Sequence, residues 1–200
     1  MEKREYKCSS NTKDALFRSL LKLSKEKGFD KVTIRDICND ADVSIGSFYH
    51  HFKSKEDLAK ATYFQTDKLI NEDFLKLCRA STPSDNLYNI LRIYVEYVSN
   101  EVGVLIKSYY KLILDMTDVS AFEPERLYYK NLKDIIRKCM EEGYVNKLYD
   151  YTEVTEYCLR FLRGLIFDWS VNDCKYNLKD KFEKDYVIFI NGLIYSKNAW

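Results

Sequence analysis

Apolar residues recur at helical spacing along nearly all of this 200-residue chain, and long strand-like alternation is absent, which predicts an all-α protein. Leu16, Leu20 and Leu23 form one stripe and predict a first helix from about Thr12 to Lys27, with Lys25 and Lys27 at the end where the helix dipole favours cations. Gly28 then offers a left-handed cap. A second start follows at Thr33, a good N-cap with Asp36 at the capping-box position, and Val32 can staple onto Ile37. Ile34, Ile37, Cys38 and Ala41 share one face of a short helix ending near Asn39–Ala41. Ser44 caps a third helix with Phe48 and Phe52 turned inward. Ser54, with Asp57 three residues on, opens a fourth that packs Leu58 back toward Phe52.

Two short capped helices joined by a tight turn, and followed at once by a newly capped long one, form a helix-turn-helix skeleton at about residues 33–52. Its outward positions suit a duplex. Ser44, Ser47 and Tyr49 are neutral hydrogen bonders, and Gly46 lets a backbone approach closely. Lys53 and Lys55 can reach phosphates as charge-assisted donors, and the helix starts at Thr33 and Ser44 point backbone N–H groups outward. His50 and His51 are the only histidines; as neighbours on a helix they point about 100° apart, so a phosphate-touching helix tip suits them better than a joint metal site or a catalytic role. Spacing alone leaves DNA binding open, because capped short helices also occur in bundles that never meet DNA.

Beyond this unit the pattern stays helical. A fourth helix from Lys55 to about Arg79 connects it to the body, the break at residues 81–85 ends it, and Ser84 or Asp85 caps the next. Leu87, Ile90, Leu91, Tyr94 and Val98 make one face as far as Asn100. Gly103 precedes Leu105, Tyr109, Leu112, Ile113 and Met116. Pro124 suits the first turn of a helix striped by Tyr128, Leu132, Ile135, Ile136 and Cys139 and stopped by Gly143. The last two helices, from about Thr152 to Val171 and through Phe182, Tyr186, Phe189, Ile190 and Leu193, are too apolar for one core face; Gly164 allows close approach of a neighbour. The domains expected are residues 1–58 and 59–200.

Composition adds one feature of interest. Seventeen tyrosines and eleven phenylalanines suit either a packed core or a pocket for a flat or cationic small molecule. The candidate lining residues are Tyr94, Tyr97, Tyr109, Tyr110, Phe122, Tyr128, Phe161 and Trp169. Residues 1–60 carry 13 basic and 10 acidic side chains and residues 61–200 carry 19 and 21, a mildly basic head on a mildly acidic body. The six cysteines show no Cys-x-x-Cys pair, so neither a metal nor a cofactor is expected. No signal peptide and no apolar run long enough to span a membrane is present, which fits a cytoplasmic chain. Glycine-rich, G-x-S-x-G and H-E-x-x-H motifs are absent, so an enzyme is not expected, and a small-molecule carrier or interaction module stays as the alternative.

The run Val-Thr-Ile-Arg-Asp-Ile-Cys-Asn-Asp-Ala-Asp-Val-Ser-Ile-Gly-Ser-Phe-Tyr-His-His-Phe-Lys-Ser-Lys-Glu-Asp-Leu, residues 32–58, resembles the N-terminal domain of TetR-type transcriptional regulators. Thr33, Ile34, Ile37, Val43, the stretch from Phe48 to Phe52, Lys55 and Leu58 carry the likeness; Cys38 replaces the usual alanine, and Asp42 the common turn glycine. The resemblance covers roughly residues 12–60. It implies a homodimer that binds a double-stranded operator through two recognition helices, with a two-fold four-helix interface in the last two helices and a small-molecule inducer in the body. It places Ser44, Ile45, Gly46, Ser47 and Tyr49 against bases or sugars and gives phosphates to Thr33, Tyr49, His51 and Lys55, with His50 beside them. A ligand-responsive regulator, as repressor or activator, is what it implies.

Overall fold

The computed structural model describes residues 9–61, 70, 74, 82–114 and 126–193. The helices are α1 (Ser9–Lys27), α2 (Ile34–Asp40), α3 (Ile45–His51), the described start of α4 (55–61), α5 (Pro83–Tyr97), α6 (Leu105–Leu114), α7 (Leu127–Glu141), α8 (Tyr151–Val171) and α9 (Leu178–Leu193). A 3₁₀ turn, Phe29–Lys31, lies between α1 and α2, and a π turn, Val98–Val102, follows α5. The chain divides into two compact units, Met1–Phe64 with Val104–Thr117, and Gln65–Gly103 with Asp118–Trp200. Sequence reading places residues 104–117 with the body; here they group with the N-terminal helices. The remainder of α4, Met116, Phe122 and Pro124 lie outside the described residues.

In the first unit α1 packs on α2, and α2 on α3. Leu16, Leu20, Ile37, Phe48 and Leu58 have no exposed surface, and Phe52 sits between Phe17 and Phe48 with ring centroids 5.7 and 5.9 Å away. The inward stripes expected of these helices meet in one small core at these residues, while Leu23, Ile34 and Ala41 stay half-buried. Cys38 is buried in it as a small apolar side chain, and burial pushes its thiol up. Gly28 takes the positive φ that favours glycine, 83°, but with ψ 143° it lies outside the αL well, so the chain leaves α1 at a glycine as expected without the αL cap geometry.

Local chemistry sets both ends of α2. Thr33 Oγ1 accepts the Asp36 amide at 3.1 Å, and Asp36 Oδ2 accepts the Thr33 amide at 2.8 Å, a complete capping box. At the other end Asp42 takes a φ of 52°, and the Val43 amide reaches back to the Cys38 carbonyl at 2.9 Å, the six-residue closure of a Schellman motif. Aspartate tolerates that left-handed step better than most residues, so glycine is dispensable there. Two ion pairs, Lys22 to Asp40 and Lys27 to Asp36, tie α1 across to α2.

The Lys27 ammonium, then the hydroxyl and amide of Thr33, hold the Asp36 carboxyl well below the usual carboxylate range. The unfolded chain takes up that proton at a higher pH than the folded one. Asp36 therefore stabilises the unit fully above pH about 4, and this contribution is lost as pH falls below that value toward the folded pKa. Urea midpoints of the wild type are expected to drop more steeply between neutral and acid pH than those of Asp36→Asn. Parallel acid slopes for the two proteins would remove Asp36 from the account.

In the second unit α5 packs on α7, α8 and α9, α7 on α8, and α8 on α9. The N-cap of α5 is Thr82, ahead of the Ser84 or Asp85 expected from sequence. Pro83 occupies the first turn, where its fixed φ suits the helix and its missing N–H leaves no orphan donor, and Asp85 closes a capping box with Thr82. The apolar face Leu87, Ile90, Leu91, Tyr94 and Val98 is buried as its spacing predicts, as are Tyr128, Leu132, Ile135, Ile136 and Cys139 on α7. Gly103 accepts φ 54° with ψ −137° after the π turn, a conformation that needs glycine. An Asp150–Glu153 capping box starts α8.

Two apolar stripes stay uncovered. On α8, Tyr157, Phe167 and Val171 are exposed, and no atom lies within 4 Å of where a Cβ on Gly164 would stand. On α9, Val187 and Ile188 are exposed, Ile188 at 75 %. Among the described residues, therefore, Gly164 makes no close helix approach.

Candidate nucleic-acid interface

The third helix divides cleanly into two faces. Phe48 is fully buried and the C-cap Phe52 nearly so, while Ser44, Gly46 and His50 are exposed, with Ile45 at 42 % and Tyr49 at 56 %. Ser44 Oγ accepts the Ser47 amide at 3.1 Å, so Ser44 serves as the cap that sequence predicts while its carbon framework faces outward. A Cβ on Gly46 would meet only Ser44 Oγ, at 3.9 Å. Among the described residues nothing demands glycine at that position; the open space lies on the exposed face of the helix. Tyr49 stands edge-on to Phe48, ring centroids 5.5 Å apart, which steadies an exposed ring.

The two histidines extend this surface at the C-terminal end of α3. Their rings lie 5.0 Å apart at 68°, with His50 exposed and His51 half-buried. Burial first, and then the charges of His50 and Lys13, lower the pKa of His51 and favour its neutral form. Lys53 is exposed, and its amide donates to Asp57 Oδ2 at 2.9 Å, while Ser54 Oγ accepts the Asp57 amide at 3.2 Å to cap α4.

Two residues assigned to phosphates have other partners. Thr33 donates its hydroxyl proton to Asp36 Oδ2 at 2.7 Å and its amide to the same oxygen, so the carboxylate already occupies the place of an anion at the start of α2. A phosphate there must compete with Asp36. Lys55 turns inward: its ammonium donates to the carbonyls of Phe29 and Val32, 2.8 Å each, and lies 4.4 Å from the centre of the Phe29 ring. Its partners sit 26 and 23 residues earlier, beyond the reach of any periodicity argument.

The aromatic candidates of the body separate into several local clusters. Tyr94 packs on Tyr128 with centroids 4.9 Å apart, and the Tyr128 hydroxyl donates to the Ile90 carbonyl. Phe161 stacks on Phe189 at 4.3 Å. Trp169 is buried and gives its indole N–H to the Tyr176 carbonyl, which makes it a tie for the loop after α8. Tyr97 is half-buried on α5, and Tyr109 and Tyr110 are neighbours on α6 in the first unit. Sequence reading misses a part-buried polar contact in the second unit. The Tyr88 hydroxyl donates to Glu183 at 2.6 Å, and burial followed by that carboxylate pushes its pKa up to about 12. Tyr88 also packs on Phe182 and Tyr186, so this bond joins α5 to α9 within an aromatic cluster. A tyrosine and a glutamate 95 positions apart carry no local signal of such a pairing.

Comparison with known proteins agrees with this geometry. Residues 16–62 match the family described as bacterial regulatory proteins, tetR family. The chain is 26 % identical over 191 residues to the Transposon Tn10 TetC protein of Escherichia coli, covering 93 % of this chain and 92 % of that one. It is 22 % identical over 191 residues to a probable acrEF/envCD operon repressor of Escherichia coli, covering 89 % and 84 %. Among solved structures, Thermus thermophilus FadR, a TetR-family transcriptional repressor in complex with lauroyl-CoA, superposes with a TM-score of 0.65 at 22 % identity, over 94 % of this chain and 98 % of that one. The match lies on the helices that expose Ser44, Ile45, Gly46 and Tyr49: residues 16–62 match the tetR family of bacterial regulatory proteins, and the likeness to regulators of that family extends through the helical body.

Proposed function

We propose that this regulator is a repressor that binds a palindromic operator as a homodimer and is released by a small molecule bound in its helical body. The observation that carries the reading is the division of α3, whose Phe48 is fully buried while Ser44, Ile45, Gly46, Tyr49 and His50 are held outward on a rigid scaffold. A helix of this kind fits a major groove about 12 Å wide, with its first residues on base edges. Ile45 has no hydrogen-bonding group and reads a thymine methyl; Ser44, Ser47 and Tyr49 read or position by hydrogen bonds, and Lys53 and His51 meet phosphates. The segment 31–60 carries five basic and five acidic residues, so positioning relies on these few contacts and not on a dense basic patch. The DNA-binding domain is taken as residues 1–58 and the effector domain as 59–200.

The uncovered stripes on α8 and α9 supply the dimer face, since two-fold association buries the same patch on both copies. An inducer weakens operator binding by favouring a conformer in which the two recognition helices stand at another separation, by no more than its differential affinity for the two states. A thioester with a long acyl chain is the first inducer to try, because a structurally similar repressor holds lauroyl-CoA. The reading is that of a cytoplasmic regulator and not of an enzyme.

Footprinting on the DNA upstream of the chain's own gene is the test. The expected result is a protected palindrome whose half-sites lie about one helical turn apart or a multiple of it, lost on adding lauroyl-CoA or another effector. Tyr49→Ala is expected to lower affinity about tenfold or more on every duplex with stability unchanged. Absence of any protected palindrome, with Tyr49→Ala indistinguishable from the wild type, would count against the reading.

A further inference from the structure

We propose that Lys55 is a positioning residue that locks the entry of α2 against the start of α4, and that it makes no phosphate contact. The inference rests on the DNA-binding reading above, and it reassigns one of the cations that the family resemblance gives to the backbone of the duplex.

An ammonium group has three N–H bonds in fixed tetrahedral directions. Two of them are used on the carbonyls of Phe29 and Val32, both at 2.8 Å, and the positive group also stands over the Phe29 ring at 4.4 Å. Phe29 itself is buried, so the ring is a fixed platform. The Phe29 carbonyl also accepts the Val32 amide at 3.1 Å, the bond that closes the 3₁₀ turn. Lys55 thus adds a second donor to the closing bond of that turn and a donor to the carbonyl just before the Thr33 cap. Its own backbone lies in the first turn of α4, beyond the Ser54 cap. One side chain therefore fixes the chain segment that launches α2 onto the helix that follows α3, and α2 packs directly on α3.

Moving the ammonium out to a phosphate would leave both carbonyls a donor short in a part-buried niche and would abandon the ring. Lys53, two residues earlier, is exposed and meets a phosphate without any such loss. Charge at position 55 thus acts on DNA through the placement of α2 and α3.

The experiment uses the full chain and a random-sequence duplex long enough for one dimer, with affinity followed by fluorescence anisotropy across a salt series. Removing one cation from a phosphate lowers the slope of log affinity against log salt by roughly 0.9. Lys53→Met is expected to reduce the slope by about that amount for each phosphate it meets. Lys55→Met is expected to bind about tenfold more weakly at every salt concentration with the wild-type slope, while circular dichroism shows it fully folded. Lys55→Arg keeps the charge and reach that a phosphate needs but places a planar fork in the two-carbonyl niche, and it is expected to behave like Lys55→Met. Amide exchange at residues 31–36 is expected to quicken in both variants.

A slope reduced by roughly 0.9 in Lys55→Met, with Lys55→Arg restoring slope and affinity, would overturn the proposal. Should Lys55→Met fail to fold, Lys55→Arg decides alone: unchanged affinity and unchanged exchange overturn it, and weakened binding at constant slope supports it. A wild type that shows no salt-dependent binding sinks the DNA-binding reading. In that case exchange at residues 31–36 in Lys55→Arg still judges the tie, and wild-type protection there overturns it.

Discussion

Truncating Phe48 to alanine is expected to cost about 3–5 kcal/mol of the stability of the N-terminal unit, which is most of what a small helical unit possesses. Phe48 has no exposed surface and contacts both Tyr49 and Phe52 through its ring, and Phe52 in turn packs on Phe17 of α1. Removing the ring opens a void beside Phe52, which links α3 to Phe17 of α1, and helices of seven residues such as α2 and α3 cannot persist without tertiary support. Urea unfolding followed by amide exchange should show protection lost across α1 to α3 while α7 to α9 keep theirs. DNA affinity should vanish with it. A shift in the unfolding midpoint worth less than about 1 kcal/mol would mean that the core of this unit is centred elsewhere.

The second large effect concerns assembly. If the protein assembles as the proposed two-fold dimer, glutamate at both exposed positions, Phe167→Glu with Ile188→Glu, is expected to leave a folded monomer. In one copy of the chain the two side chains are 49 % and 75 % exposed, so the substitutions leave the fold of a protomer within about 0.5 kcal/mol of the wild type. Across a two-fold interface each carboxylate appears twice, and an unpaired buried charge costs about 3–5 kcal/mol. Sedimentation velocity at micromolar concentration should report the monomer mass with unchanged helical circular dichroism. Operator affinity should fall by about a hundredfold or more, because a monomer holds one half-site. A double variant that still sediments with the wild type would place the interface on another face.

These results would rest on features of unequal legibility. The bounds of α2 and α3 follow from chemistry within a few residues, in which Thr33 with Asp36, Ser44 with Ser47 and Asp42 at the turn act on backbone groups beside them. Helical periodicity likewise sorts Ile37, Phe48, Leu91 and Ile136 to the inside, because a fixed rise and twist turn spacing into facing. The start of α5 is misplaced by a local rule applied too late, since Pro83 belongs inside the helix and its cap must precede it. The partners of Lys55 and Tyr88 are set by how elements pack, and no spacing in the chain encodes them. The pocket residues are the least legible, because an aromatic ring at helical spacing looks the same whether it meets a neighbour, as Tyr94 meets Tyr128, or a ligand.

Gly46 carries a consequence of a different kind. Inside a helix a glycine is worse than alanine by about 0.5–1 kcal/mol, and here the nearest obstacle to a methyl group is a serine oxygen at 3.9 Å. Among the described residues the fold itself gains nothing from glycine at this site. On the proposed DNA-binding reading, the space beside Gly46 is where a duplex would press against α3, so the cost of glycine there would be set by the partner and not by the fold.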